Sequence, residues 1–242
     1  MKTITMEICA NSFESAVNAE KGGADRIELC SELAVGGITP SYGLIKKTVE
    51  EIAIPIHILI RPRSGNFTYS DTEFDIMKRD IVFCKSIGCT GIVSGVLHED
   101  HTLDVKRTEE LIELASPLSF TFHRAFDWIP NPEKTIRILE EIGTDRVLTS
   151  GQQVKALDGI NLLVKLRDKV SKLKILPGGG INADNAKVFK DNNFEEIHLS
   201  VISIVKSGTP VKLSMNNLKM VDDDLTMFSD LQKIQKIKEA IK

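Results

Sequence analysis

The side chains of this sequence that could carry chemistry cluster where apolar stretches end. Residues 118–127 begin as an alternating strand and finish with His123, Arg124 and Asp127. An imidazole, a guanidinium and a carboxylate can together transfer protons and hold an anion. In α/β proteins, functional sites lie where a parallel strand ends before its helix, and a helical run follows here at residues 133–142. The sequence therefore indicates a functional site at this strand end.

This unit of strand and helix recurs along the chain and indicates an α/β fold. About eight such units, roughly 25 to 30 residues apart, fill the 242 residues. Strands that alternate with helices pair in parallel, and about eight of them are typical of a closed (β/α)8 or TIM barrel. We expect one domain over residues 1–242, with an inserted loop at about 201–227 and a closing helix at about 229–241. The fingerprint Gly-x-Gly-x-x-Gly is absent after the first strand, so no nucleotide cofactor is expected.

Alternation within each strand predicts which side chains face the barrel axis. In the first strand Met6 and Ile8 suit the helix-facing side, which leaves Glu7 and Cys9 inward. The same reasoning predicts that polar or thiol side chains of the other strands also face the axis. These residues are Arg26, Glu28, Cys30, His57, Arg61, Thr121, His123, Arg146, Ser150, Glu196 and His198. Charges buried at a barrel axis are costly unless they are paired or meet a ligand. Their concentration near one mouth of the barrel therefore predicts a site.

The inward acids and imidazoles are the candidates for proton transfer. Carboxylate and imidazole groups at a barrel mouth can act as general acids or bases. The candidate catalytic residues are Glu7, Glu28, His123 and His198. Each histidine could instead be a satisfied core residue, and the acids could belong to a structural ion network.

A second group of residues is suited to holding a carboxylate or phosphate. Guanidinium groups bind such anions through two parallel hydrogen bonds. The glycine run at residues 178–180 lets backbone N–H groups approach an anion, and the next helix would add its positive N-terminus. The candidate anion-binding residues are Arg61, Arg63, Arg124, Asp127, Ser150, Gly179 and Gly180. The alternatives are a structural ion network for the arginines, a loop cap for Asp127 and a plain tight turn for the glycines.

Two cysteines occupy equivalent positions on neighbouring predicted strands. The motif Glu-x-Cys occurs twice, ending at Cys9 and at Cys30. Adjacent parallel strands lie about 4.8 Å apart, so two inward thiols at matching heights could share one soft ion. Two thiolates suit Cu(I), whereas a closed zinc site wants four ligands. The alternative is that each cysteine is simply a small buried apolar residue.

Composition excludes several classes of partner. The net charge of −3 and the pI near 6.0 argue against nucleic acid or an anionic membrane surface. The sequence has no membrane-spanning run and no signal peptide, so a cytoplasmic location is expected. The four cysteines are then expected to be reduced.

Several motifs in order resemble the CutC family, whose members are called copper homeostasis proteins. The resemblance covers roughly residues 6–200 and implies a cytosolic TIM barrel whose proposed copper ligands fall on Cys9 and Cys30. Departures are Gln152, where the family often has a small residue, and residues 211–220, which match poorly. The motifs that carry the resemblance read GADRIELC, GITPS, IRPR, TFHRAFD, RVLTSG and PGGGI.

Two hypotheses of different classes remain open at this stage. The first is Cu(I) binding through Cys9 and Cys30 in copper homeostasis. The second is an enzyme that acts on a small carboxylate or phosphate by acid–base chemistry, which would explain the arginines. The sequence leaves open whether the chain is an enzyme and whether it forms a homo-oligomer. The expected partner is a copper ion or a small anionic molecule.

Overall fold

Eight parallel strands form the barrel in a computed structural model that describes residues 4–206, 208, 213 and 223–242. Each strand pairs with its neighbours in sequence, and β1 also pairs with β8. A parallel bridge between Gly178 and His198 joins β7 to β8 and nearly closes the ring. The predicted TIM barrel is confirmed. Its strands are β1 (Thr5–Ala10), β2 (Arg26–Leu29), β3 (Ile56–Leu59), β4 (Gly91–Ser94), β5 (Ser119–Phe122), β6 (Arg146–Thr149), β7 (Lys174–Pro177) and β8 (Glu196–Leu199).

Helices alternate with the strands along the chain. Polar caps begin several of them: the predicted cap Ser12 accepts the backbone N–H of Ser15, and Ser70 forms a capping box with Glu73. None of the helices in the described residues is long and apolar enough to cross a bilayer. The helices are α1 (Phe13–Lys21), α2 (Tyr42–Glu51), α3 (Asp71–Ser86), α4 (Val105–Ala115), α5 (Pro132–Glu141), α6 (Ile160–Arg167), α7 (Ala186–Asp191) and α8 (Leu231–Ala240).

The connection after β7 differs from the sequence prediction. A helix was expected from about Asp184, but α7 begins only at Ala186. The side chain of Asn182 accepts the N–H of Asp184, and the side chain of Asn185 accepts the N–H of Asn182. The N–H of Ala186 also donates to the carbonyl of Asn182, so these bonds form a capped turn directly before α7, whose start lies two residues after the predicted one.

The predicted inserted loop at 201–227 contains regular structure. Strands β9 (Ile202–Lys206) and β10 (Leu225–Ser229) pair antiparallel, and residues 207, 209–212 and 214–222 lie outside the described residues. Ser229 fixes this pair to the barrel, because its hydroxyl donates to the carbonyl of Cys9 and its N–H donates to Ser15 Oγ. The strands were missed because the intervening residues give no turn signal of a tight hairpin.

The apolar faces of the strands and helices form one large core, and inside the barrel a small separate cluster contains Cys9, Cys30, Leu59 and Val93. Two glycines of the β4 segment make room for imidazole rings. A Cβ on Gly91 would lie 2.4 Å from Cδ2 of His57, and one on Gly95 would lie 2.7 Å from Nδ1 of His123. Glycine at these positions therefore allows both rings to be buried inside the barrel.

Gly91→Ala tests this packing. The added methyl group forces the buried ring of His57 to move, so we expect the free energy of unfolding to fall by about 1–3 kcal/mol. Gly43→Ala is the control, since Gly43 is exposed in α2 with nothing within 4 Å, and it should gain about 0.5–1 kcal/mol. Urea denaturation measures both, and equal stability of the two variants would contradict the packing argument.

Candidate functional site

A cavity of about 480 Å³ opens at the carboxyl ends of the strands. Its lining combines an apolar wall, which includes Leu33, Leu59 and Phe67, with many of the predicted site residues. Cavities of this size accommodate small metabolites. The predicted site residues that line it are Cys9, Glu28, Arg61, His123, Arg124, Asp127, Gly179 and His198.

A network of paired charges lies below the cavity on the barrel axis. Arg26 donates to Glu7 and, at 2.6 Å, to Glu196, and Arg146 donates to Glu196 at 3.1 Å. All four side chains are buried. Burial opposes ionisation of Glu7, but Arg26, His198 and His57 together outweigh it and lower the pKa of this carboxyl. The network considered from the sequence, in which Arg61 and Arg63 pair with Glu7 and Glu28, does not form. Glu7 pairs with Arg26 instead, and Glu196 pairs with both Arg26 and Arg146.

His198 connects this network to the cavity. Its Nδ1 lies 2.7 Å from Oε1 of Glu7, and its Nε2 lies 3.5 Å from Oε2 of Glu28. Burial disfavours the imidazolium form of His198. The neighbouring groups, with the carboxylates of Glu28 and Glu7 among them, outweigh burial and raise the pKa of His198. Burial also raises the pKa of Glu28. His198 and Glu28 can therefore exchange a proton between an imidazole and a carboxyl group at the cavity surface.

The two cysteines meet, although not in the predicted way. The register of β1 and β2 places Cys9 opposite Glu28, so Cys30 lies two residues farther along its strand. The expectation of matching heights was wrong, because barrel strands are staggered relative to one another. This stagger still brings Sγ of Cys9 and Sγ of Cys30 to 3.5 Å.

The surroundings of Cys9 disfavour its thiolate form. The contact with Cys30, then burial and the charge of Glu28 raise the pKa of Cys9 well above the usual thiol value. Cys9 lines the cavity, whereas Cys30 is completely buried behind it. A bound metal ion would supply the positive charge that deprotonates Cys9.

Arg61 brings a buried cation to the cavity wall. Its Nη1 donates to the carbonyls of Val35 and Gly37, its Nη2 donates to the carbonyl of Gly65, and the guanidinium stacks on Phe67. Among the described residues no carboxylate lies within ion-pair distance of Arg61. Its Nε is buried without a hydrogen-bond partner in the described structure. Carbonyl dipoles and the Phe67 ring thus hold the guanidinium of Arg61, with no carboxylate of the described residues to neutralise it.

Arg63 points elsewhere. Its guanidinium pairs with Glu73 of α3 and donates to the carbonyl of Thr68 at 2.8 Å. It does not line the cavity. Arg63 therefore fastens its own loop to the start of α3, where Glu73 is already part of the capping box.

Asp127 organises the loop after β6 and holds Arg124 beside it. The carboxylate accepts from the hydroxyl of Thr149, from the N–H groups of Ser150 and Gln152, and from Nε of Arg124 at 2.7 Å. Nη2 of Arg124 also donates to Oγ of Ser150 at 2.9 Å. Ser150 lies behind the cavity surface, so Arg124 is the member of this group best placed to meet a ligand.

The glycine run supplies part of the predicted anion cradle. Gly179 lines the cavity with a φ of 116°, and a Cβ there would lie 3.6 Å from Nη1 of Arg124. Gly180 has a φ of 67° and packs beside Lys155 instead. The helix N-terminus expected next to the glycines is displaced, because α7 begins at Ala186. Backbone freedom at Gly179 therefore remains, without the helix end.

His123 is a neutral imidazole in the cavity wall. Its Nδ1 accepts the N–H of Ala125 at 3.3 Å, which places the proton on Nε2. Burial and the charge of Arg61 lower the pKa of His123 to about 3. Nε2 is buried without a hydrogen-bond partner in the described structure. His123 thus offers an unused N–H donor, suited to polarising a ligand oxygen.

Sequence reasoning missed part of the lining. Trp128 and Ile202 also border the cavity, and Trp128 packs against Phe67 with ring centroids 4.8 Å apart. The single tryptophan directly follows Asp127, and that neighbour was the available signal. Ile202 belongs to β9, which the sequence did not reveal.

The neutral state of His123 has a measurable consequence. A folded pKa near 3 against an ordinary value of 6.5 means that only the unfolded chain takes up the proton between these pH values. The contribution of His123 to the free energy of unfolding is therefore fully present above pH 6.5 and is lost as the pH falls toward 3. His123→Asn, which keeps an acceptor near Nδ1, should make this fall shallower by up to about 1.4 kcal/mol per pH unit. Urea unfolding at several pH values measures it; the exposed His101→Asn is the control, and an unchanged slope in His123→Asn would contradict the assignment.

Comparison with known proteins places this chain in a family. The sequence model described as the CutC family matches residues 4–203. The family protein CutC of Proteus mirabilis is 42% identical over 225 residues, covering 93% of this chain and 86% of that protein. The human copper homeostasis protein cutC homolog is 43% identical over 205 residues, covering 84% of this chain and 75% of that protein.

Solved structures agree with this assignment. A Streptococcus agalactiae structure described as a CutC protein has a TM-score of 0.77 and 32% identity, and the match covers 81% of this chain and 98% of that one. An aldolase named QR15 has a TM-score of 0.60 at 12% identity, covering 82% of this chain and 90% of that one, which shows the shared barrel fold alone. The barrel fold, the span matched by the family model and the relatives above 40% identity agree, and this chain therefore belongs to the CutC family.

Proposed function

We propose that this chain is a copper homeostasis protein that binds Cu(I) through Cys9 and Cys30 at the barrel mouth. The observation that carries the proposal is the 3.5 Å separation of two buried sulfur atoms, one of which borders the cavity. Soft thiolates are the ligands that Cu(I) prefers. The human relative is named for copper homeostasis, which supports the same conclusion.

The donor set fits the ion with a small adjustment. If the metal–sulfur bonds resemble zinc–thiolate bonds of about 2.3 Å, the two sulfurs stand about 3.8 Å apart at a tetrahedral angle and about 4.6 Å apart in a linear site. The thiols would have to separate by at most about 1 Å from their present contact, and Cys9 has the cavity on one side. Of the two protons that leave on binding, one can pass to the carboxylate of Glu28 and the other to water in the cavity.

We place the protein in a reducing compartment, the cytoplasm. All four cysteines are free and buried in the structure. Thiols that must bind Cu(I) have to remain reduced, as they do in the cytosol. Self-association stays a prediction from the sequence.

Removal of the two sulfurs tests the Cu(I) site. The double variant Cys9→Ala/Cys30→Ala should lose tight Cu(I) binding, because a methyl group cannot ligate the ion. The matched control is Cys84→Ala/Cys89→Ala, which removes two other buried thiols. Anaerobic competition with a chromophoric Cu(I) chelator measures both, and full Cu(I) binding by the first variant would refute the proposal.

A second candidate function is supported by the opposite wall of the cavity. Arg61 has no acidic partner among the described residues, and the Nε2–H of His123 is unused. Both side chains line the cavity, so an anionic ligand would satisfy a guanidinium and an imidazole donor at once. This arrangement supports an enzyme that acts on a small carboxylate or phosphate, with Glu28 and His198 as the proton-transfer pair.

Anion binding should depend on the guanidinium of Arg61. A binding anion at 100 times its Kd stabilises a protein by about 2.7 kcal/mol, which raises the Tm of a chain of this size by about 5–10 °C. We expect Arg61→Lys to lose most of this rise, because lysine retains the charge but not the fork of donors. Thermal shift with phosphate, sulfate and small phosphorylated acids measures it.

Arg63→Lys is the matched control, since that arginine is paired with Glu73 away from the cavity. It should respond to anions as the wild type does. If no anion raises the Tm, or if the Tm of wild type and of Arg61→Lys rises equally, then Arg61 serves only to hold its loop in place.

A further inference from the structure

We infer that Cys9, Glu28 and His198 form a mononuclear site for a divalent cation of the zinc class, with one coordination position open to the cavity. The inference goes beyond the proposed Cu(I) function and shares only Cys9 with it. It assigns the acid and the histidine of the cavity wall to metal binding.

The three ligand atoms already lie close together. One ligand atom from each residue is within 4.8 Å of the other two, and all three side chains are buried at the cavity wall. Nε2 of His198 and Oε2 of Glu28 are 3.5 Å apart. Two ligand atoms about 2.1 Å from one zinc ion at a tetrahedral angle stand about 3.4 Å apart. The imidazole and the carboxylate therefore already have the spacing that a shared metal requires.

The histidine is oriented for metal binding by a second carboxylate. The carboxylate of Glu7 lies 2.7 Å from Nδ1 of His198 and can only accept a hydrogen bond, so Nδ1 carries the proton. Nε2 is then the atom that faces Glu28. Metal-bound histidines commonly donate their other N–H to a carboxylate in this way. Glu7 is in turn fixed by Arg26, which also holds Glu196. The supporting shell of a metal site is thus already built into the barrel axis.

The composition of the set suits an open site. Thiolate, imidazole and carboxylate are each ligands of Zn²⁺, and three protein ligands leave a fourth position for water or substrate. That position faces the cavity, whose other wall carries Arg61 and the Nε2–H of His123. The cavity therefore fits a small molecule with one oxygen for the metal and a carboxylate or phosphate for the arginine.

Cys30 is excluded from this set by the register. It follows the last residue of β2, two residues beyond Glu28, and does not line the cavity. Its contact at 3.5 Å allows its S–H to donate to a metal-bound thiolate of Cys9. Because Cys9 is common to both sites, Cu(I) and the divalent ion exclude each other.

Cobalt is the probe for this site, because Co²⁺ replaces zinc and reports thiolate ligation through charge-transfer absorption. We expect metal-free wild-type protein to bind one Co²⁺ with this absorption, and Zn²⁺ to displace it. Cys9→Ala should abolish the charge-transfer band. Glu28→Gln should weaken Co²⁺ by about tenfold or more, as is typical when a metal site is disturbed. Cys30→Ala, the matched control, should retain the band and the affinity.

The outcomes separate this inference from the Cu(I) proposal. Cu(I) bound without Co²⁺ binding, a Co²⁺ complex without the thiolate band, or an unchanged Co²⁺ affinity in Glu28→Gln overturns the divalent site alone. Co²⁺ binding as expected, with Cu(I) binding unaffected by Cys30→Ala, overturns the cysteine pair alone. Circular dichroism checks that each variant is folded. If Glu28→Gln does not fold, Glu28→Asp withdraws the ligand oxygen while keeping the charge, with the same expected loss.

Discussion

The ion network of Arg26 with Glu7 and Glu196 is the interaction on which the rest of the site depends. A barrel axis is normally filled by branched apolar side chains, and this one holds several acids. Removing one partner of a buried ion pair costs about 3–5 kcal/mol, because it leaves a charge uncompensated. Arg26 compensates two acids at once, and one of them, Glu7, fixes the ring of His198. The geometry of the cavity floor therefore follows from a charge balance made below it.

Above this network, the two sides of the cavity carry groups of different charge. Strands β1, β2 and β8 contribute a wall of thiol, carboxylate and imidazole, carried by Cys9, Glu28 and His198. The segments after β3 and β5 contribute the opposite wall, with Arg61 and the neutral His123. One wall favours a cation and the other favours an anion, which is the arrangement expected when a metal and an anionic group are held together. Neither wall neutralises the other directly, because the cavity lies between them.

The sequence predicted the barrel and its inward side chains well because both follow from local alternation. Parity along β1, β2 and β8 is a property of each strand by itself. The relative height of Cys9 and Cys30 was mispredicted because the stagger between barrel strands is a property of the closed ring. The conformation of the loop that pairs Arg63 with Glu73, and the pairing of β9 with β10, likewise cannot be read from the alternation of one strand. The sequence alone therefore could not predict how the strands, helices and loops are placed relative to one another.

The two metals proposed for Cys9 would use different neighbours of its sulfur. A purely Cu(I) site gains little from a carboxylate, which is a hard ligand, yet Glu28 stands directly opposite Cys9 in the register. A purely divalent site gains little from a second thiol, yet Cys30 lies 3.5 Å away. The sulfur of Cys9 is therefore positioned between a soft partner behind it and two harder partners at the cavity. On the two proposals together, the oxidation state and availability of the metal set which ion binds, with the same thiolate serving either.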